Sequence, residues 1–417
     1  MERLQTACGG LDVHKRTVVA CVLRPAADEQ GQGIKELRTF ATTAEAAQAL
    51  RDWLVAAGCT HVAMEATGVY WKALYRTLEG HCTVWLVNAQ HIKKVPGRKT
   101  DALDAEWLAE LVQHGLLRPS FVPSAAQRAL RDLTRTRTAL IEERTALINR
   151  IQAVLEDAQI KLAGVASDIM GVSGRDILAA LLAGCTDAAA MADLARGKLR
   201  QKREALEQAL QGRLDGHHRL LIALHLEQVD LLDEQIVHLS AEIAARLRPH
   251  EAVLVRLETI PGVGRRTAEI LVAEIGVEVS RFPSAGHLAS WAGMCPGQHE
   301  SAGKRKGGPR RHGNRALRRV LTEAAKAAAR TKKPQQTYLR GRYWRLVARC
   351  GKKKAAVALG HTILRIVYHV LATGEPYREP VLLAIDERRR AQVQQRALAQ
   401  LAALGYEVTL TPTVPAA

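Results

Sequence analysis

The stretch RKTDALDAEWLAEL, residues 98–111, carries two carboxylates three residues apart, Asp101 and Asp104, directly after a run of cations. Residues i and i+3 of an α-helix lie on one face, so both carboxylates can be directed at the same place beside the helix. Their mutual repulsion is relieved when a divalent cation sits between them. Taken singly, Asp101 can instead cap the helix, and Asp104 can pair with a neighbouring arginine.

Two further acids occupy the ends of predicted strands, where acids are unusual. Asp12 ends a strand in CGGLDVHK and Glu65 ends another in VAMEATG, and neither has an obvious partner nearby in the sequence. If both strand ends meet the helix pair at one edge of a sheet, the four acids form an oxygen-rich site for Mg²⁺ or Mn²⁺. Two such ions orient a phosphodiester and stabilise its attacking and leaving oxygens. The acids therefore predict metal-assisted phosphodiester chemistry.

The positive charge of the chain is concentrated in one segment. The 417 residues carry a formal net charge of +18, and residues 302–354 alone contain 19 Lys or Arg and one acid, Glu323. Such a block favours a polyanionic partner, because each phosphate that it neutralises releases counterions. A solvated basic face without a ligand is the simpler alternative. Only three aromatic residues (Tyr338, Tyr343 and Trp344) interrupt the block, so phosphate contact is expected rather than base stacking.

Composition narrows the class of protein further. The hydrophobic content of 47% suits a folded protein, and the low aromatic content of 4% with abundant Ala and Leu favours helices. Signal-peptide and membrane-span patterns are not evident, so no membrane partner is expected. The seven cysteines are scattered without a Cys-x-x-Cys pair, which predicts neither a zinc site nor a disulfide framework and favours the cytoplasm.

The acids are expected to be positioned by alternating strands and helices over residues 1–120. A β-hairpin is predicted in TACGGLDVHKRTVVACVL, and further strands in LRTFATT, HVAMEA and CTVWLVN. Helices are predicted in TAEAAQALRDWLVAAG, VYWKALYRTLEG and TDALDAEWLAELVQHG. The order β-β-β-α-β-α-β-α predicts a mixed sheet flanked by helices.

The pattern becomes helical between residues 124 and 250. A first long helix has apolar residues at heptad spacing, interrupted by Arg137 and Arg144, and a second runs roughly over residues 220–247. An antiparallel helical arm of this kind can pair with a second copy of the chain, or it can be an ordinary subdomain of a monomer. The heptad positions are Leu130, Leu133, Leu140, Leu147, Ile151 and Val154.

The last third of the chain opens with a glycine-containing turn between two apolar helices, LETIPGVGRRTAEILVAEIG. It matches a helix-hairpin-helix, in which the backbone N–H groups near Gly262 and Gly264 reach a phosphate at a helix N-terminus. The same turn can merely pack two helices. A Gly-rich basic loop that enters a helix follows in HLASWAGMCPGQHESAGKRKGGPRRHGNRALRRVL.

These motifs together resemble one family. Asp12 in GLDVHK, Glu65 in EATGVYW and the acidic pair in KTDALDAEWLAEL resemble the DEDD transposases of insertion sequence family 110. The resemblance continues in IPGVGRRTAEILVAEIG, WAGMCPGQHESAGKRKGG and HGNRALRRVL, in the family's order, over about residues 5–375. It implies an α/β N-terminal domain similar to the Holliday-junction resolvase RuvC and to ribonuclease H. The four acids are then its catalytic metal ligands.

The resemblance also implies a role for Ser301 in HESAGK, since this stretch of the family carries a serine that becomes covalently joined to DNA. A serine hydroxyl needs a base or metal for activation and cations to receive the phosphorane charge. Lys304, Arg305 and Lys306 follow directly. The family's usual Glu-Ser-Gly reads Glu-Ser-Ala-Gly here, with the glycine at Gly303. By residue type alone, this serine beside glycine is a turn residue.

The implied activity is DNA recombination, in which strands are cleaved through a phosphoserine link and rejoined without ATP. The implied partners are donor and target DNA and a structured bridge RNA, encoded by the element, that chooses both DNAs by base pairing. Homodimers that assemble into homotetramers are also implied, the acidic site of one subunit meeting the serine of another. Such a protein acts in the bacterial cytoplasm and associates with the nucleoid when active.

The predicted organisation has four parts. A RuvC-like metal domain over residues 1–122 precedes a helical coiled-coil arm over 123–250, which is expected to dimerise and contact RNA. A mostly α-helical transposase domain with the helix-hairpin-helix and the serine loop follows over 251–380, and a tail over 381–417. Residues expected to contact nucleic acid are Gly262, Gly264, Lys304, Arg305, Lys306, Arg310, Arg311, Arg315, Arg318 and Arg319.

Two other functions use the same residues differently. A metal-dependent junction resolvase or nuclease that activates water needs the four acids but not Ser301. An architectural nucleic-acid binder needs only the basic segment and the glycine turn.

Overall fold

The computed structural model describes residues 6–25, 33–65, 68–87, 101–295, 298–301, 304–307, 313–331, 337–379 and 382–407. The description is of the backbone alone at residues 101–103, 298–301, 304–307 and 382–390 and at two later positions of the last helix. The chain divides into two compact units, Met1–Ser124 and Ala125–Ala417. The finer division of the second unit into arm, transposase domain and tail stays a prediction.

A mixed five-stranded sheet forms the centre of the first unit. Its strands are β1 (Cys8–Val13), β2 (Thr17–Arg24), β3 (Ile34–Ala41), β4 (His61–Glu65) and β5 (Thr83–Val87). They lie in the order β3-β2-β1-β4-β5. The first three strands pair antiparallel, whereas β1 with β4 and β4 with β5 pair parallel. The predicted hairpin, the further strands and the mixed sheet are confirmed.

Helices cover both faces of this sheet. They are α1 (Ala44–Ala56), α2 (Trp71–Leu78) and α3 (Asp101–Gln113). Alternate residues of a strand face opposite sides, and β1 shows the consequence. Leu11 is buried in the cluster that contains α1 and α2, and Cys8 in the cluster that contains α3. Thr43 caps α1 as predicted, its hydroxyl accepting a hydrogen bond from Ala46 N at 3.3 Å.

The second unit begins with the predicted antiparallel arm, formed by α4 (Ala125–Asp157) and a later helix, α9 (Gly216–Leu247). Short elements lie between them: α5 (Leu162–Val165), α6 (Val172–Leu182), α7 (Ala188–Asp193), a 3₁₀ helix (Gly197–Lys202) and α8 (Arg203–Ala209). In α9 the buried residues Ile222, Val229, Ile236 and Ile243 recur every seven positions, which is the spacing of a coiled coil.

The buried face of α4 differs from the predicted heptad in part. Leu133, Leu140 and Val154 are only half-buried, whereas Thr134 and Arg137 are buried. Arg137 is tolerated there because its guanidinium lies 2.7 Å from the carboxylate of Glu269, also buried, in an ion pair without hydrogen-bond geometry. The charge that interrupts the apolar pattern is thus neutralised by a residue far along the chain.

The rest of the second unit is mostly helical. It contains a 3₁₀ turn (Arg248–His250), α10 (Glu251–Glu258), α11 (Arg265–Ile275), α12 (Ala285–Trp291), strands β6 (Gln298–Ser301) and β7 (Lys304–Gly307), α13 (Arg315–Arg330), α14 (Tyr338–Thr373) and α15 (Leu382–Ala403). One apolar core joins the base of the arm, through Leu130 and Ile243, to α10–α14. Part of the stretch expected to be a Gly-rich basic loop instead forms the β6–β7 hairpin. Its strands are polar, so they lack the alternation of apolar residues by which strands are usually predicted, but their backbones can still pair.

Among the described residues, α14 alone has the length and hydropathy that a membrane span requires. Its buried residues, among them Leu359, Ile363 and Val367, pack in the core of the second unit. The helix is also broken at Gly351, whose φ of 77° is non-helical. Its apolar character is therefore accounted for by internal packing.

Candidate active site

Two of the predicted acids lie side by side at one edge of the sheet. Asp12 is the penultimate residue of β1, and Glu65 is the last residue of β4. The parallel register pairs Leu11 with Met64, so Asp12 and Glu65 occupy the next position on neighbouring strands. Residues in register share a face of the sheet, which brings these two carboxylates together.

Helix α3 approaches β1 unusually closely, at Gly10. A Cβ atom at this position would lie 2.0 Å from the carbonyl oxygen of Ala105 and 2.5 Å from the backbone nitrogen of Ala109. Only a residue without a side chain allows the helix to touch the strand in this way. Asp12 follows two residues later and therefore faces the same side as Gly10, towards α3.

This packing brings a third acid to the edge. Asp104, in the first turns of α3, lies near enough to Asp12 that its charge raises the pKa of the Asp12 carboxyl group, as does that of Glu65. Burial is the largest cause of the raised pKa, and the nearby His14 opposes it. Asp12 and Glu65 are half-buried and Asp104 is exposed, so the site opens to solvent. Asp12, Glu65 and Asp104 are therefore brought together.

The fourth acid, Asp101, begins α3 one helical turn before Asp104, as the sequence predicted. Its side chain lies outside the described part of the structure. Lys35 of β3 forms an ion pair with Glu106 of α3, which connects the helix to the antiparallel side of the sheet. The contact of α3 with Gly10 keeps the helix against β1, and the helix backbone places Asp101 three residues before Asp104.

His14 contacts the acidic edge directly, a contact that the sequence analysis did not anticipate. Its Nε2 donates to the Oδ2 of Asp12 at 2.8 Å, and its ring is about half-exposed (53%). The signal was present in LDVHK, since residues two apart on an extended chain share a face. His14 is thus placed to hold the orientation of the Asp12 carboxylate.

The donor set of this edge fits a hard divalent cation. Carboxylate oxygens are the ligands that Mg²⁺ and Mn²⁺ prefer, and three carboxylate groups converge here. Burial is the main cause of the raised pKa of Asp12, and the charges of Asp104 and Glu65 add to it through their repulsion of the Asp12 carboxylate. A cation at Asp12, Glu65 and Asp104, with Asp101 available from the same helix, would relieve this repulsion.

A second group of metal-type side chains lies at the end of the arm, formed by Asp157, His217 and His218. His218 is already satisfied there. Its Nδ1 accepts from the backbone nitrogen of Asp215 at 3.1 Å in a capping box, and its Nε2 donates to Asp157 at 3.0 Å. Because a metal at either nitrogen would break one of these bonds, the group is assigned to holding the ends of α4 and α9 together.

The predicted nucleophile lies in the second unit, at the end of β6. Ser301 pairs with Lys304 of β7, and His299 pairs with Lys306, in an antiparallel ladder. Partners in such a ladder share a face, so the ribbon has one face with the positions of Ser301, His299 and the two lysines. The side chains of this hairpin lie outside the description, and the catalytic role of Ser301 stays a prediction.

Two glycines that flank the hairpin segment contact each other. Gly293, after α12, and Gly313, before α13, pack backbone against backbone: a Cβ on Gly313 would lie 2.5 Å from the Cα of Gly293. Gly293 also has a positive φ of 67°. Sequence analysis did not single out either glycine, although both flank the serine motif. Their contact closes the base of the segment that carries Ser301.

The residues expected to bind nucleic acid have different surroundings. Arg315 is exposed on the first turn of α13, Arg318 is half-buried, and the exposed Arg319 forms an ion pair with Glu142 of α4. Lys304, Arg305 and Lys306 lie on β7 and are described by backbone alone, and Arg310 and Arg311 lie outside the described residues.

The predicted glycine turn is present between α10 and α11. Gly262 has a positive φ of 87°, and a Cβ there would lie 2.2 Å from the carbonyl oxygen of Ala324, so this glycine packs the turn against α13. Gly264 caps α11, with open space where a side chain would be. The open side of the turn is therefore at Gly264, and phosphate binding by either glycine stays a prediction.

Two transposase families match the chain. The DEDD transposase family of IS110 elements matches residues 9–160, which include the four acids, and the IS116/IS110/IS902 transposase family matches residues 255–340, which include Ser301. The family defined by its DEDD acids implies the use of a divalent metal, in agreement with the donor set at the sheet edge.

Individual relatives extend the similarity to most of the chain. It is 30% identical to a probable family 20 transposase of Pseudomonas aeruginosa PAO1, over 76% of this chain and 85% of that protein. It is 29% identical to the transposase for insertion sequence element IS1111A of Coxiella burnetii, over 77% of this chain and 79% of that protein. A shorter match, 50% identical over 52 residues, is to the pilin gene-inverting protein of Moraxella bovis and covers 12% of this chain and 15% of that protein.

Similarity to whole transposases, two matching families and a converged set of the family's acids lead to the same conclusion: the chain belongs to the IS110 family of transposases, enzymes that cleave and rejoin DNA.

Proposed function

We propose that this transposase cleaves and rejoins donor and target DNA through a covalent bond to Ser301, assisted by divalent metal and guided by a structured bridge RNA. The observation that carries the proposal is the convergence of Asp12, Glu65 and Asp104 at one sheet edge, where burial, followed by the charges of Asp104 and Glu65, raises the pKa of the Asp12 carboxyl group. An edge built in this way is suited to phosphodiester chemistry, and the matching families include both the acids and the serine.

The first unit is proposed to have an RNase H-like, RuvC-like fold. Its strand order β3-β2-β1-β4-β5, with three antiparallel strands followed by parallel ones, supports this assignment. Asp12, Glu65, Asp101 and Asp104 would hold Mg²⁺ or Mn²⁺. When bound, the metal supplies positive charge that stabilises the attacking and leaving oxygens. The protein contributes the fixed position of the carboxylates, which Gly10, His14 and the Lys35–Glu106 pair maintain.

In the proposed cleavage step, the Oγ of Ser301 attacks the scissile phosphorus. An Oγ–P bond forms, the bond from phosphorus to the leaving deoxyribose oxygen breaks, the serine proton passes to a base, and the leaving oxygen takes up a proton. Attack by a sugar hydroxyl on the phosphoserine reverses these changes and joins a new strand. Because the phosphoester is conserved throughout, rejoining needs no ATP.

The hairpin supports this role through its charges. Lys304 is the cross-strand partner of Ser301, and Lys306 occupies the same face two positions further. Cations there would receive the negative charge that develops on the phosphoryl oxygens. Arg305 and the exposed Arg315 extend the basic surface to the flanking phosphates.

The proposed nucleic acid partners are bound mainly by charge. The net charge of the basic segment favours phosphate contact, and the few aromatic residues leave little capacity for reading bases by stacking. Delegating sequence choice to base pairing with a bridge RNA fits a protein of this composition. The Moraxella relative is named for inverting a gene, an operation that cuts and rejoins DNA at two places, and the proposed strand exchange is of that kind.

Two copies are proposed to dimerise through the arm, and dimers to form tetramers in which the acids of one subunit act with Ser301 of another. The outer face of α9 exposes Leu220, Leu224 and Leu231, which lie on one side of the helix. An exposed apolar stripe on a long helix is a surface that a second helix covers. The proposed place of action is the bacterial nucleoid, within the cytoplasm.

The test is to incubate purified protein and RNA with labelled element ends in Mg²⁺, followed by denaturing electrophoresis before and after protease treatment. Wild-type protein is expected to yield a protease-sensitive protein–DNA adduct. Ser301→Ala should abolish both adduct and cleavage while leaving nucleic acid affinity within about twofold. Ser290→Ala, an exposed serine on α12, serves as the matched control and should cleave normally.

A second candidate is a junction resolvase or nuclease that uses water. It is favoured by the cluster of Asp12, Glu65 and Asp104, all three of which belong to the first unit. That candidate requires Ser301→Ala to keep cleaving, without an adduct. In both cases Asp104→Asn should lose cleavage but retain binding. An Asp104→Asn protein with full activity would instead indicate an architectural nucleic-acid binder.

A further inference from the structure

One carboxylate ties the base of the serine hairpin to the rest of the second unit. Asn314 follows Gly313, the glycine that closes the base of the hairpin segment against Gly293. The Nδ2 of Asn314 donates to the Oε2 of Glu274, near the end of α11, at 2.6 Å. The first residue after the hairpin base is therefore bound directly to a different helix.

Glu274 is held at the same time by two arginines of the arm. Its side chain is fully buried (0% exposed). Arg135 of α4 donates to both of its oxygens, through Nε to Oε1 at 2.7 Å and through a terminal nitrogen to Oε2 at 2.9 Å. Arg131 lies 3.4 Å from Oε2 and donates to the backbone carbonyls of Ala273 and Glu274.

A buried carboxylate with this set of donors has little freedom to move. Removing either arginine takes away part of the positive charge that compensates this buried carboxylate, and removing Asn314 leaves one of its hydrogen bonds unmade, so each contact resists relative movement of the three elements. The bidentate contact with Arg135 also fixes the plane of the carboxylate. The arm, α11 and the start of α13 consequently share one rigid joint, located at the base of the hairpin.

We propose that Glu274 is a positioning residue for strand cleavage: through Asn314 it fixes the base of the Ser301 hairpin relative to the arm. This inference rests on the proposed function, which makes the hairpin the site of chemistry. A helix cap alone does not explain the contact, because Asn314 caps α13 with a different atom, its Oδ1, which accepts from Leu317 N at 3.0 Å. The two functions of Asn314 can therefore be separated by substitution.

The experiment is a double-mutant cycle at these two positions. Asn314→Asp retains an equally good N-cap but sets two carboxylates against each other. Glu274→Gln leaves one acceptor oxygen where the carboxylate has two, so an NH₂ group faces a donor of either Asn314 or an arginine. The double variant restores the hydrogen bond with donor and acceptor exchanged and keeps one negative charge beside Arg131 and Arg135. Each variant is assayed for single-turnover cleavage, nucleic acid affinity and melting temperature.

Each single variant is expected to slow cleavage by at least about tenfold, with affinity within about twofold of wild type, and the double variant should recover most of the rate. Rates are compared at a temperature where every variant is folded. Glu278→Gln, an exposed acid four residues from Glu274, is the control and should cleave at the wild-type rate. Wild-type cleavage by Asn314→Asp, or a double variant no faster than either single variant, would overturn the proposal.

The cycle also separates this inference from the proposed function. It measures strand cleavage by any route, whereas adduct formation and Ser301→Ala measure the serine chemistry. If Ser301→Ala still cleaves DNA, the serine assignment fails. The Glu274 proposal then fails with it, because the hairpin would not carry the nucleophile. If Ser301→Ala is inactive and the cycle shows no recovery, the serine chemistry stands and the Glu274 proposal alone fails.

Discussion

Gly10 is the residue on which the geometry of the acidic edge depends. No functional motif singles it out in the sequence, yet its missing side chain lets α3 lie against β1 and brings Asp104 close to Asp12. A single methyl group at this position would occupy the space of the α3 backbone, which a side-chain rotation cannot relieve.

Gly10→Ala is therefore expected to displace α3, to lower the free energy of unfolding of the first unit by about 1–3 kcal/mol or more, and to abolish cleavage. Chemical denaturation and the cleavage assay measure the two effects. Gly9→Ala is the matched control, because the atoms nearest to its Cβ lie 3.3–3.5 Å away and need to shift only slightly. A Gly10→Ala protein with normal stability and activity would show that α3 is not held against β1 in this way.

At the scale of the elements, two arginines on α4 form ion pairs that differ in burial. Arg137 is buried (1% exposed) beside Glu269 of α11, whereas Arg144 pairs with Asp233 of α9 on a half-exposed surface. Both interrupt the same apolar pattern, but only the first loses its access to water.

Glu269→Gln should lower the free energy of unfolding of the second unit by about 3–5 kcal/mol, since it leaves the Arg137 charge buried without a counter-charge. Asp233→Asn, which weakens the half-exposed pair, should cost about 0–1 kcal/mol. Both values come from urea denaturation followed by circular dichroism. Equal costs for the two variants would contradict the difference in burial between the pairs.

The elements themselves were largely predictable from the sequence, because their hydrophobic periodicity is local. The five strands, α3 with its acid pair and the two long arm helices all follow from such patterns. Contacts between residues distant in the sequence cannot be predicted from local patterns. The pairing of Arg137 with Glu269 and the approach of α3 to Gly10 are two such contacts. The hairpin of Ser301 was missed for another reason: its strands are polar on both faces, so no alternation marks them.

The candidate site was partly predictable, because its acids lie at the ends of predicted strands and at helical spacing. Asp12, Glu65 and Asp104 converge as expected, and the helical spacing of Asp101 is present. The residues that support them were not evident beforehand, because a glycine or a lysine gains its function only from what lies opposite. His14 was predictable in part: the sequence shows that it lies two residues from Asp12, but its contact with the Asp12 carboxylate is evident only from the structure.

At the scale of the whole molecule, the basic segment should determine how binding responds to salt. Arg315 is exposed, whereas the charge of Arg319 is already compensated by Glu142. Arg315→Ala should reduce the slope of log affinity against log salt by about one, and Arg319→Ala by less. Filter binding from low to moderate salt measures the slopes. An unchanged slope for Arg315→Ala would mean that this side chain contacts no phosphate.

Self-association should depend on the outer face of α9. Leu224→Gln combined with Leu231→Gln removes the middle of an apolar stripe whose members are 46% and 54% exposed. The expected result is a shift from dimer to monomer in analytical ultracentrifugation, because the partner helix would lose the leucines against which it packs. Val172→Gln, at a 62% exposed position outside the arm helices, is the control and should leave the dimer intact. A double variant that still sediments as a dimer would direct attention to another surface.

The meeting of Gly293 with Gly313 has a consequence for how this protein can change. Because these two glycines are in contact, the distance between the ends of the intervening segment does not set how many residues must connect them. Met294 and Cys295 still pack in the core of the second unit, so insertions and deletions beyond these two residues are expected to leave α12 and α13 in place. We therefore expect the length of this segment to vary between related transposases, provided that the two glycines and the core residues after Gly293 are retained.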